Sequence, residues 1–214
     1  MRTSSSQATI TAWWASHIHA ARCAGDLVLL DTRSDAYLHV PDPEHRLELV
    51  DLQGVRAPAA YIEQLAVAGL LTSEPFRGRR PLPDAPRRSQ QGKLTIAALR
   101  DAVRLIATLK DVGDVSLGSC LAKRALRPRP DQAPSPDAAV AVFALALPFI
   151  KGQGACLWRC AVLDDVIDRA GGYADWVFGV RLWPFSAHCW LQIGDAVLDD
   201  DPDRISLYSP ILAI

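Results

Sequence analysis

Residues 155–169, ACLWRCAVLDDVIDR, and residues 178–200, FGVRLWPFSAHCWLQIGDAVLDD, decide the reading of this chain. In the first stretch Cys156, Cys160, Leu163 and Ile167 fall on one narrow helical stripe, with Arg159, Asp164, Asp165 and Asp168 away from it. Gly152 and Gly154 form the turn that feeds this helix, and Gly171 and Gly172 stop it. The segment behind it reads as β structure: Trp176 to Leu182, Ala187 to Ile193, a Gly194–Asp195 turn, then Ala196 to Asp200.

A cysteine that opens a helix after a glycine-bearing loop meets free backbone N–H groups and the positive end of the helix dipole. Both favour a thiolate and can hold an oxyanion. A small apolar core residue is the plain alternative for Cys156. Of five histidines, only His188 lies in the C-terminal half, on a strand whose hairpin returns to Asp199, Asp200 and Asp201. Thiol, imidazole and carboxylate are the parts of a Cys–His–Asp triad. A two-residue turn pairs Ile193 with Ala196 and puts Asp199 on the face of His188, whereas a bulge or three-residue loop selects Asp200. Cys189 alternates to the opposite face, and Cys160, one turn behind Cys156, reads as packing.

Working outward, 214 residues of which half are apolar and 22% charged suit one ordinary domain or two small ones. The net charge of −1 conceals blocks: residues 1–75 carry 5 basic and 9 acidic side chains, 76–130 carry 13 and 4, and 131–214 carry 5 and 11. The arginine-rich middle lacks interleaved aromatics, so a solvated connection explains it better than a nucleic-acid surface. No secretory signal stands at the N-terminus, and the longest apolar run, Ala138 to Leu147, is about half a membrane span. Five cysteines without CxxC spacing argue against a disulfide framework or zinc ribbon and point to a reducing cytoplasm. His17 and His19 with Cys23 or His39 make a poor metal site, and DDDPD lacks the glycine and final glutamate of a calcium loop. Neither a metal nor a cofactor is expected.

The N-terminal part, 1–75, reads as three short strands between His17 and Val40, then helices over Glu44–Leu52 and Ala57–Leu70. That makes a small winged-helix-like unit. Phe76 to Gly92, with three prolines and five arginines, reads as a linker. A helix over Leu94–Leu109 follows, with Ile96, Leu99, Val103 and Ile106 as its core stripe, and RPRPDQAPSP (127–136) breaks the chain again. The fold class expected is α+β, with domain boundaries 1–75, 76–92 and 93–214.

The C-terminal motifs resemble the B protein of lasso-peptide biosynthesis, a transglutaminase-like cysteine peptidase. The resemblance rests on Cys156-Leu157-Trp158-Arg159, Gly179-Val180 with Pro184-Phe185, Ala187-His188-Cys189-Trp190 and a closing aspartate, across about 145–203. It implies a transglutaminase/papain-like peptidase domain with Cys156, His188 and Asp200 as its triad. Cys189 stands where the family usually has alanine, Gln192 where glutamate is usual, and the turn is Gly-Asp instead of Asp-Gly. Gly25 to Asp31 with Ala36 to Val40 is similar to the precursor-recognition domain of modified-peptide pathways. That likeness implies leader-peptide contacts at Tyr37, Leu38, His39 and Val40 by strand addition, and at Tyr61 and Leu65 of a nearby helix.

The expected function is therefore removal of the leader from a ribosomally made lasso precursor, the partner being that leader region. A separate ATP-dependent macrolactam-forming cyclase is implied by the family. Two rivals stand: an acyl transferase using the same triad, and a non-catalytic precursor-binding protein.

Overall fold

The computed structural model describes residues 9–76, 78–83, 85–88, 95–108, 115–127, 129–130, 133–149 and 156–214. The chain divides into two compact units, one of Met1–Pro81 with Val180–Ser186, the other of Leu82–Gly179 with Ala187–Ile214. Among the described residues no helix is long and apolar enough to cross a membrane.

In the first unit, β1 (Thr9–Trp14), β2 (Ile18–Cys23), β3 (Asp26–Asp31), β4 (Ala36–Val40), β5 (Glu48–Val50) and β6 (Gly54–Pro58) precede α1 (Ala59–Val67) and β7 (Leu71–Thr72). They form a four-stranded sheet of order β5-β6-β1-β7 and an antiparallel three-stranded sheet, β2-β3-β4. Leu27 and Leu29 of β3 join Ile18, Ala20, Trp14, Leu47, Val55 and Leu65 in one core. Val28 and Leu30 face the other way and are equally buried, so both faces of β3 are covered. On that second face the Cys23 thiol donates to the Val180 carbonyl at 3.7 Å, and Phe185 packs on Tyr37 with ring centroids 5.5 Å apart. Val180–Ser186, seven residues from far along the chain, thus count with this unit.

The helix expected over Glu44–Leu52 is a strand and turns instead. Buried Asp42 accepts the Arg46 and Leu47 amides at 2.7 and 3.1 Å, which fixes the turn that leads into β5. Leu47 enters the core, and Leu49 pairs with Val55 across the β5–β6 hairpin. A side chain on Gly54 would meet the Ala12 carbonyl at 2.7 Å, so β1 and β6 approach only because glycine stands there. The described residues of this unit thus hold one helix, not two or three.

Parts of the expected linker are held by hydrogen bonds, while its residues 77, 84 and 89–92 lie outside the described residues. Arg79 donates to the Ala15 carbonyl at 2.9 Å and lies 3.0 Å from His19 Nδ1, where burial and that guanidinium hold His19 down to about 4. In the second unit, β8 (Arg87–Arg88) runs parallel to β11 (Ala196–Val197).

The second unit continues with α2 (Ile96–Thr108), α3 (Leu117–Ala125), α4 (Asp137–Ala146), α5 (Cys156–Arg169), β9 (Asp175–Arg181), β10 (Ser186–Ile193), α6 (Pro202–Ile205) and β12 (Ser209–Ala213). Its sheet has the order β12-β9-β10-β11-β8. Helix α2 packs on α4 through Ala98, Ala102 and Leu105, leaving Ile96, Leu99 and Val103 exposed. The expected core stripe is thereby corrected: small residues four apart let two helix backbones approach, which bulky ones cannot.

Asp164, expected on the outer side of α5, is buried. It pairs with Arg127 at 3.0 Å and Arg124 at 3.5 Å, while Arg127 also reaches Asp168 at 2.8 Å. Both guanidinium groups lie over the Tyr173 ring. The basic middle and the acidic C-terminal block thus neutralise one another inside this unit.

Candidate active site

The floor of the site is a small core of Val177, Trp190, Val197 and Ile205, with Tyr208 against it. A side chain on Gly179 would meet the Trp190 indole at 2.8 Å, which accounts for glycine at that point of β9. Gln192 is buried and braces the hairpin, accepting from the Trp190 indole N–H and donating to the Gly194 carbonyl, each at 2.8 Å.

Cys156 is the first residue of α5; Gly152 and Gly154, expected to form the turn before it, lie outside the described residues. Its half-buried thiol lies close enough to His188 and Cys189 for both to shift its ionisation. The Cys189 contact and burial push it up to about 12, against the downward pull of His188. His188 Nε2 lies 2.7 Å from Asp200 Oδ2, with both side chains largely buried. That bond commits Nε2 and leaves Nδ1 for the thiol. Burial pulls the imidazole down, yet its hydrogen bonds to Asp200 and Cys156 carry it up to about 9. Burial likewise opposes ionisation of Asp200, but His188, Arg204 and the Asp201 amide hold it well below the usual carboxylate range.

The hairpin has the two-residue turn, with Ile193 opposite Ala196. Asp199 does not reach His188, because strand β11 ends at Val197 and simple alternation ends with it. The Leu198 amide still meets the Leu191 carbonyl at 3.0 Å, but the next ladder partner is a side chain: Asp199 Oδ1 accepts the Leu191 amide at 2.9 Å. Cys160 donates to Asp199 Oδ2 at 3.4 Å, and Arg159 to its carbonyl at 2.7 Å. The chain leaves the sheet at this anchor and delivers Asp200 to the imidazole. No slipped register is involved.

Cys189 is not remote from the nucleophile position. Its thiol contacts Cys156 and donates to Cys160 Sγ at 3.7 Å, so three thiols form a row. Arg204, which sequence reasoning passed over, donates through Nε to Asp200 Oδ1 at 2.9 Å and through Nη2 to Oδ2. Its spacing of four from Asp200, behind an Asp-Pro helix start, was the available signal.

The expected leader contacts lie in the first unit. Tyr37, Leu38, His39 and Val40 occupy β4, the edge of the three-stranded sheet. Tyr37 and His39 share a face with Phe185 and Trp183, whose rings lie 5.5 and 5.8 Å from theirs, and Leu38 points to the other face, 43% exposed. Tyr61 is half-buried on α1, but Leu65 is closed into the core. Among the described residues no group of three or more metal-ligating side chains converges.

The sequence pattern of the transglutaminase-like superfamily matches residues 102–213, a span that holds Cys156, His188, Asp200 and Arg204. No curated protein and no solved structure matches the chain.

Proposed function

The chain belongs to the transglutaminase-like superfamily, and on that premise we propose that it is a cysteine peptidase that binds a lasso-precursor leader and cuts it from the core peptide. The observation that carries the reading is the unbroken line of contacts from the Cys156 thiol through His188 to Asp200. As Sγ attacks the carbonyl carbon at the leader–core junction, His188 takes the thiol proton. Asp200 stabilises the imidazolium and fixes its orientation. The tetrahedral oxyanion is met by backbone N–H groups of the first turn of α5. His188 then protonates the leaving amine, which frees the N-terminus of the core. A water gives its proton back to the imidazole and opens the thioester, releasing the leader as a free acid and restoring the thiol.

Residues 1–75 supply recognition in this proposal, as the leader-binding module. An extended leader adds beside β4, where main-chain groups at a sheet edge favour a strand. The freed core amine is the group an ATP-dependent cyclase would need for a macrolactam. Incubating the protein with a leader-bearing precursor and weighing the products tests this directly. Two fragments whose masses add up to the precursor plus one water support it, and a new amide in place of the acid would identify an acyl transferase. Undiminished cleavage by Cys156→Ala would remove the mechanism.

A further inference from the structure

We propose that Arg204 is a positioning residue for the His188–Asp200 pair, locking the carboxylate in the one orientation that serves the imidazole and easing release of the imidazole proton. This rests on the proposed role of His188 as the base. Asp200 has four lone-pair directions, and four donors meet them. Oδ1 accepts Arg204 Nε at 2.9 Å and the Asp201 amide at 2.7 Å, and Oδ2 accepts His188 Nε2 at 2.7 Å together with Arg204 Nη2. Turning the carboxylate would break both guanidinium bonds at once, so Oδ2 stays aimed at Nε2 and the imidazole keeps its Nε2–H tautomer.

The local sequence builds this clamp. Asp201 caps α6 by accepting the Asp203 amide at 3.0 Å, Pro202 sets the first helical residue, and buried Ile205 pins the turn. One turn of helix then brings Arg204 back onto Asp200. The groups facing His188 are Cys156 from α5, Asp200 ahead of α6, Arg204 on it, and Tyr208 behind it at a ring distance of 5.4 Å. Arg204 is the cation of this set, with Nη2 3.3 Å from Nε2. Its charge opposes a second positive charge on the imidazole, so the ring yields its proton at lower pH than it would beside Asp200 alone.

The test follows iodoacetamide labelling of Cys156 in the intact protein from pH 6 to 10, quantified by mass spectrometry of the Cys156 peptide. In R204Q the inflection should move upward by about half a unit or more. In R204K, which restores charge without the two-pronged grip, the inflection should return towards wild type while the maximal rate stays lower. An R204Q profile that coincides with wild type, or shifts downward, would overturn the proposal. If R204Q does not fold, R204K decides: a maximal rate equal to wild type would overturn it. H188A separates the two claims, because a wild-type profile in that variant would sink His188 as the base whatever Arg204 does.

Discussion

Asp199 and Asp200 share a peptide bond and serve opposite sides of it. Asp199 holds the Leu191 amide at 2.9 Å and the Cys160 thiol at 3.4 Å, whereas Asp200 lies 2.7 Å from His188 Nε2. Asp200→Asn should keep the fold, judged by circular dichroism, and lower precursor cleavage on the order of 10²–10⁴-fold, since an amide cannot stabilise the imidazolium. Asp199→Ala should instead strand the Leu191 amide and lower stability by about 1–3 kcal/mol in urea. Equal loss of cleavage in both, with both folded, would mean the two carboxylates share one role.

The thiol–imidazole pair sets the pH dependence. His188 is raised to about 9 and Cys156 to about 12, so below pH 9 the imidazole holds its proton and cannot accept that of the thiol. Cleavage should therefore climb between pH 7 and 9 with the slope of one proton. A profile already flat at pH 6.5 would contradict the pairing.

Cys189 raises Cys156 more than any other neighbour does. Cys189→Ala should lower the Cys156 value and speed its alkylation at pH 7 several-fold, at a cost of about 1 kcal/mol for the small buried gap. Slower labelling in this variant would show that Cys189 assists the nucleophile.

Asp164 should matter for stability alone. Asp164→Ala leaves Arg124 buried without its carboxylate and Arg127 with Asp168 alone, which costs about 3 kcal/mol. Chemical denaturation would report the loss. A variant as stable as wild type would show that the charge network is compensated elsewhere.

Leader capture is expected along β4, the edge strand of the three-stranded sheet. Leu38→Asp places a charge on an exposed position without touching the core, so it should abolish leader binding while Cys156 alkylation proceeds as before. Unaltered binding by titration calorimetry would put the leader elsewhere.

The residues of the site were legible because their chemistry is tied to chain position: a cysteine at a helix start and the single distal histidine are visible in a string of letters. Strand alternation alone points to Asp199, because no letter marks Val197 as the last ladder residue, whereas the likeness to the peptidase motif implies Asp200, the carboxylate that lies 2.7 Å from His188 Nε2. Burial misled in the same manner. Ile96, Leu99 and Val103 look like a core stripe, yet Ala98 and Ala102 make the packing face because close helix approach rewards small residues. Leu47 and Leu49 alternate as a strand does, but a three-residue strand is too short a pattern to tell from a helical turn.

The first unit is discontinuous, and this bears on how its coding sequence can be divided. A break after Pro81 leaves Val180–Ser186 on the other piece. The shorter product would then lack the carbonyl that receives the Cys23 thiol and the ring that packs on Tyr37. Separate expression would leave the shorter piece incomplete, and complementation in trans would require the longer piece to lend it seven residues.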